Sequence, residues 1–190
     1  MDYIFSSDRL GFRNWVDDDI EKMAAINADP RVMEYFPSLV NREDTVFFID
    51  RMKLQLTQKG YCYFAVDDLS DNNFVGFIGL SEQTYEAPFT PCVDIGWRLR
   101  PDTWNQGLAS EGANRCLLYA FENLGLQEVF AIAPVLNLRS ERIMQKIGML
   151  KQYEFDHPFL ADNTLLKKCN LYKISRPHIM PASIEKSELK

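Results

Sequence analysis

The sequence is poor in metal-ligating and redox residues. Its two histidines, His157 and His178, lack the H-x-x-x-H spacing of a helical metal pair. Its four cysteines, Cys62, Cys92, Cys116 and Cys169, stand far apart with no C-x-x-C pair. That pattern argues against a disulfide framework or a zinc site and for reduced, packed thiols, so no metal is expected. Net positive charge is also lacking. The formal charge is −6, which leaves a non-specific nucleic-acid binder without its electrostatic footprint. No apolar run approaches the roughly 20 residues that span a bilayer. Met1-Asp2-Tyr3-Ile4 opens without a basic stretch leading into an apolar one. The expectation is a cytoplasmic protein with no nucleic-acid and no membrane partner. Internal repeats and low-complexity tracts are absent too.

What is present is an ordinary globular composition, 46% hydrophobic and 25% charged over 190 residues. That is enough chain for one domain with a sizeable core. A first strand is expected over residues 8–15. Asp17-Asp18-Asp19 offers a cap and an acidic first turn to a helix that Pro30 ends. Asn41, with Asp44 three residues on, starts a second helix that Gly60 terminates. Strands are expected at 61–66, 74–83 and 92–100, then a helix from Gly107 to Leu124 with Gly125 as its stop. A strand at 128–134, a helix at 138–147 after Asn137, and strands at 149–155 and 165–174 complete the pattern. The order β-α-α-β-β-β-α-β-α-β-β argues for a mixed α/β (α+β) sheet in a single domain over residues 1–176. Residues 177–190 are polar with little periodicity and are expected to form a tail.

One junction invites chemistry. Asp94-Ile95-Gly96-Trp97-Arg98-Leu99-Arg100-Pro101 is a strand stopped by proline. It leads through Trp104-Asn105-Gln106-Gly107-Leu108-Ala109-Ser110 into the clearest helix. The free N–H groups at such a helix start, at the positive end of its dipole, seat a phosphate. Gly107 permits close approach, and Asn105 tolerates a positive φ. Alone, a glycine at such a junction is more often a plain turn. The P-loop and dinucleotide glycine patterns are both absent.

Two blocks together make the segment specific. Asp94-Ile95-Gly96-Trp97 with Trp104 to Glu111 resembles motif A of the GNAT superfamily, and most of all the ribosomal-protein N-terminal (Rim-type) branch. Asn137-Leu138-Arg139-Ser140 through Lys146-Ile147-Gly148-Met149 resembles that family's second block, at the usual separation. The resemblance covers roughly residues 8 to 175. Asn105 and Leu108 depart from the usual glycine and tyrosine. Met144 stands where many members carry a proton-donating tyrosine.

The resemblance implies a splayed central sheet and transfer of an acetyl group from acetyl-CoA to a primary amine. The amine, a protein N-terminal α-amine or a small molecule, would attack directly in a ternary complex, in a monomer or homodimer. Backbone groups of Trp97, Arg98 and Leu99 would pair with pantetheine and polarise the thioester carbonyl. The turn from Trp104 to Ser110 would hold the diphosphate. Asn137 either caps its helix or binds the pantetheine amide. Arg139 and Lys146 either approach phosphates or are solvated charges. Asp94 is the first candidate base, against a solvent-facing strand aspartate paired with an arginine. Glu82 is the second, against a plain surface carboxylate. Ser140 is the candidate donor to the leaving sulfur, or a helix-start hydroxyl. Tyr35 and Phe36 are candidates for the acceptor cleft or for packing, and Tyr172 for the acyl end or the core. A non-catalytic acyl-CoA-binding module of the same fold is the alternative. A nucleotide-phosphate binder using the same turn is a third reading.

Overall fold

A computed structural model describes residues 2–176. The tail expected at 177–190, with His178, lies outside the described residues. Eight strands form one sheet in the order β1-β2-β3-β4-β5-β6-β8-β7. They are β1 (Phe5–Ser6), β2 (Leu10–Arg13), β3 (Tyr63–Asp68), β4 (Asn73–Gln83), β5 (Cys92–Leu99), β6 (Glu128–Pro134), β7 (Leu150–Asp156) and β8 (Lys168–Ser175). Four α-helices join them: α1 (Asp19–Asn27), α2 (Arg42–Lys59), α3 (Leu108–Leu118) and α4 (Leu138–Lys146). Among the described residues no helix is long and apolar enough to cross a membrane.

The mixed α/β sheet is as expected, with differences at its ends. The single strand expected over 8–15 is a hairpin of β1 and β2, paired at Phe5–Phe12 and Ser6–Gly11. A two-residue strand carries too little alternation to be read from sequence. The helix expected to reach Leu124 is α-helical only to Leu118. It closes in a π-helical turn over Tyr119–Asn123, before Gly125 at φ 69°. The last strand starts at Lys168 rather than at residue 165.

Local chemistry sets the helix ends. Asn41 Oδ1 accepts from the Asp44 N–H at 2.8 Å, and Gly60 adopts φ 78° to end α2. At α1, Asp18 occupies the cap position without a side-chain bond. Asp19 is drawn inward instead. Arg13, buried on β2, pairs with Asp19 at 2.6 Å and with Asp67 of β3 at 2.6 Å. One cation thus ties two strands to the start of α1.

Alternation along β4 sorts the layers. Phe77 meets Phe48 of α2, with ring centroids 5.4 Å apart. Its neighbour Ile78 lies under Gly112 of α3, where an added Cβ would collide with the Ile78 side chain. Successive residues point to opposite faces, so α2 and α3 cover opposite sides of the sheet. Gly112 is what lets α3 sit that close.

The feature that positions the site is between β5 and β6. β4 and β5 are antiparallel and paired along eight positions, from Gly76–Leu99 to Gln83–Cys92. β5 and β6 are parallel and meet at one position, Asp94–Phe130. Beyond it the strands diverge, and their carboxyl ends open a wedge at the start of α3, the place where open sheets with parallel strands bind ligands.

Candidate active site

The turn after β5 has an unusual backbone. Asn105 adopts φ 61° and Gly107 φ 81°. Two left-handed residues two positions apart turn the chain sharply into α3. Gly107 sits at the cap position with no side-chain cap bond, so the first N–H groups of the helix lack side-chain partners there. Trp104 Nε1 donates to the Leu99 carbonyl at 2.9 Å, and Gln106 Nε2 to the Asp102 carbonyl at 3.0 Å. Arg9, which the sequence reading missed, braces the turn from outside. It donates to the Gln106 carbonyl at 3.0 Å and pairs with Glu111 at 2.6 Å.

The free edge of β5 faces the wedge. The Arg100 N–H donates back to the Val75 carbonyl at 3.0 Å. With a two-residue period, Arg98 also points its N–H toward β4, and Trp97 and Leu99 point theirs toward the gap. The Leu99 carbonyl, on that same edge, receives Trp104. The trio Trp97, Arg98 and Leu99 is therefore split: two offer backbone groups, and Arg98 offers its side chain.

A cleft of about 510 Å³ joins these parts. Trp97, Arg98, Leu99, Trp104, Asn105, Gly107, Leu108, Ala109 and Ser110 line it from β5, the turn and α3, and Asn137, Arg139, Ser140 and Lys146 from the start and body of α4. Tyr35 and Phe36 reach it from the segment after α1, along with Arg31 and Val32, which sequence reasoning did not single out. Arg142 lines it too. Its spacing of three from Arg139 and four from Lys146 puts all three cations on one face of α4, a signal the sequence contained. Gln106 is not brought to the cleft; its side chain is spent on the turn. The Asn137 side chain is spent as well, since Oδ1 accepts from the Ser140 N–H at 3.1 Å. Arg139 lies 5.1 Å from the Trp104 ring centroid and 4.0 Å from Glu34.

The two candidate bases part company. Asp94 is 9% exposed on the α2 face of β5. It accepts from Tyr63 Oη at 2.6 Å and pairs with no arginine among the described residues. Burial pushes its carboxyl up to about 6, against hydrogen bonds from Tyr63 and Gln83 and the charge of Arg51, which pull it down. It does not itself line the cleft, and neither does its partner Tyr63. Glu82 is exposed, pairs with Lys59 at 3.3 Å, and stays outside the cleft. Tyr172 is buried and donates to Glu141 at 2.8 Å, and Met144 is buried on the inner side of α4. Neither lines the cleft.

Known proteins identify the family. Residues 9–150 match the acetyltransferase (GNAT) domain model. An uncharacterized N-acetyltransferase of Bacillus subtilis, YnaD, is 30% identical over 145 residues, covering 76% of this chain and 81% of that one. An acetyltransferase of the GNAT family from Bacillus anthracis superposes with a TM-score of 0.75 at 27% identity, covering 90% and 96%. At 17% identity, where likeness speaks to the fold alone, two further structures stand side by side. The ribosomal-protein-S5-alanine acetyltransferase of Vibrio fischeri has a TM-score of 0.74, with 95% and 100% covered. The spermidine N-acetyltransferase of Vibrio cholerae, in complex with CoA and spermine, has 0.70, with 88% and 95% covered. The Rim-type branch is thus one neighbour among several. From its motif residues to its sheet order, the chain belongs to the GNAT acetyltransferase family.

Proposed function

We propose that the chain is an acetyl-CoA-dependent N-acetyltransferase whose amine acceptor attacks the thioester directly, with Asp94 receiving the proton. One observation carries the reading: the free edge of Trp97 and Leu99, the bare N-terminus of α3 and the cationic face of α4 converge on one cleft. These parts fit the donor's chemistry. Helix N–H groups and cations suit a diphosphate. Strand N–H groups suit an extended amide chain and the oxyanion of the attacked carbonyl. Ser140 supplies a hydroxyl at the cleft for the departing sulfur, in place of the tyrosine that Met144 replaces.

Amines enter largely protonated, with pKa values of about 8 for an α-amine and 10.4 for lysine. A base is therefore needed near neutrality. Asp94, held near 6, is ionised at pH 7 yet more basic than an ordinary aspartate. Neither Asp94 nor Tyr63 lines the cleft, so the amine's proton reaches the carboxylate through intervening water. The relatives named for spermidine and for a ribosomal protein N-terminus illustrate the two kinds of acceptor. Incubation with acetyl-CoA and an amine library, read by mass spectrometry, tests the reading. At least one amine should gain the mass of a single acetyl group, and Asp94→Asn should remove the product. CoA binding with no acetylated product from any amine would favour a non-catalytic acyl-CoA-binding module.

A further inference from the structure

Arg98 is a half-buried cation with no carboxylate partner among the described residues. It lines the cleft from the middle of the sheet. Its Nη1 donates to Asn27 Oδ1 at 2.6 Å, and its guanidinium lies 4.2 Å from the Phe36 ring centroid and 5.5 Å from that of Phe77. Its Nε is buried with no hydrogen-bond partner among the described residues. Asn27 is itself fixed, because its Nδ2 donates to Thr45 Oγ1 at 2.9 Å. The fork is therefore held in place while most of its five donors remain unused. Arg13, which is buried, has two carboxylates. Burial pulls Arg98 down to about 10, still charged at neutral pH. A fixed, charged and underused fork is what an incoming anion would complete.

Its location indicates which substrate would bring that anion. Arg98 and Asp94 share one face of β5, four residues and so about 13 Å apart along the strand, a gap that intervening water spans between an amine beside Arg98 and the base. Their partners come from α1, the segment after it, β3 and β4. The cations of α4 reach the cleft beside the turn, where Arg139 lies 5.1 Å from the Trp104 ring centroid, whereas the Arg98 guanidinium is held by Asn27 of α1 and Phe36 of the segment after it. We propose that Arg98 selects an acceptor that carries a carboxylate close to its reacting amine, as a free amino acid or an acidic peptide N-terminus does. A polyamine would instead bring positive charge against the guanidinium. The inference rests on the acetyltransferase reading.

The test uses matched acceptors with acetyl-CoA and follows thiol release. L-phenylalanine is set against L-phenylalaninamide for the free amino acid. A peptide amide beginning with aspartate is set against the same peptide beginning with asparagine, and spermidine is included as the polycation. In at least one pair the carboxylate member should win by about 10- to 100-fold in kcat/KM, as expected of a charge-assisted fork. Spermidine should be the poorest acceptor. Arg98→Gln should shrink the preference to within about threefold, mostly through KM. Arg98→Lys should keep part of it, since the charge remains while the fork is lost. Both variants should unfold cooperatively in urea with the wild-type m-value, which shows that they fold. Equal or slower turnover of the carboxylate member in both pairs, no turnover of either carboxylate probe, or a preference that survives Arg98→Gln overturns the proposal. Failure of the wild-type chain to bind acetyl-CoA is a different result and overturns the acetyltransferase reading beneath it.

Discussion

Tyr63 Oη donates a 2.6 Å hydrogen bond to Asp94 Oδ1 across the face of the sheet that α2 covers: β3 supplies the donor and β5 the carboxylate. β4 runs between them, and Gly79 and Gly96 leave the space. An added Cβ at Gly96 would come within 3.0 Å of the Tyr63 ring, and one at Gly79 would strike the β3 backbone. The contact puts an acid raised by burial under the control of a neutral donor.

Asp94→Asn should abolish turnover and stabilise the protein at neutral pH. A raised carboxyl pKa means that the folded state prefers the protonated form. Its stabilising contribution is complete below the ordinary value of 3.8 and is lost as pH rises through about 6. That rise corresponds to about 3 kcal/mol. Urea denaturation at pH 7.5 should find the variant more stable by up to about 2–3 kcal/mol, and at pH 4 the difference should nearly vanish. Equal stability at both pH values would show that the carboxyl is not buried as described.

Tyr63→Phe should move the acid limb of the kcat–pH profile upward from its midpoint near 6. The phenol's hydrogen bond holds the Asp94 carboxylate down, and its removal leaves burial less opposed. The ring should still pack, since Tyr63 stacks on Phe77 at 5.1 Å. A midpoint that stays fixed or falls contradicts the assigned contact.

Gly107→Ala should weaken acetyl-CoA binding by about 5- to 30-fold, because a left-handed residue with a Cβ costs about 1–2 kcal/mol. Space is not the obstacle. The nearest atom to the added carbon, Arg9 Nη2, lies at an ordinary 3.6 Å. The strain would be relieved only by moving the turn that presents the helix N–H groups. Calorimetry of the variant checks this, and an unchanged Kd argues against the turn as the phosphate seat.

Arg13→Met should cost about 3–5 kcal/mol in urea denaturation, since it strands Asp19 and Asp67 without their cation. Adding Asp19→Asn and Asp67→Asn to that variant should recover part of the loss. If the single variant is as stable as the wild type, the buried triad does not hold β2, α1 and β3 together.

Much of this architecture is legible in the sequence, because its signals are local. Asn41, Gly60, Asn137 and Gly148 mark helix ends through caps and positive φ, and the structure places helix boundaries beside each. The turn from Trp104 to Ser110 and the block from Asn137 to Lys146 are contiguous, so their residues arrive at the cleft nearly complete. What sequence reading missed is long-range. Arg9 reaches Gln106 and Glu111 across about a hundred residues, and Arg13 gathers Asp19 and Asp67. Neither partner set follows from any local spacing. Asp94 shows the same division: its strand position was evident, but its partner is a tyrosine two strands away rather than an arginine. The three aspartates divide in the same way: Asp19 lies in the acidic first turn of α1 as expected, but its pairing with the buried Arg13 is long-range, and Asp18 at the cap position makes no side-chain bond.

The central claim is that the wedge beyond the Asp94–Phe130 pair holds acetyl-CoA. Titration of the chain with acetyl-CoA in a calorimeter addresses it directly. The account predicts saturable one-to-one binding that ATP displaces far less well than CoA does, and that weakens in Gly107→Ala. No heat of binding, or ATP competing as strongly as CoA, would contradict it.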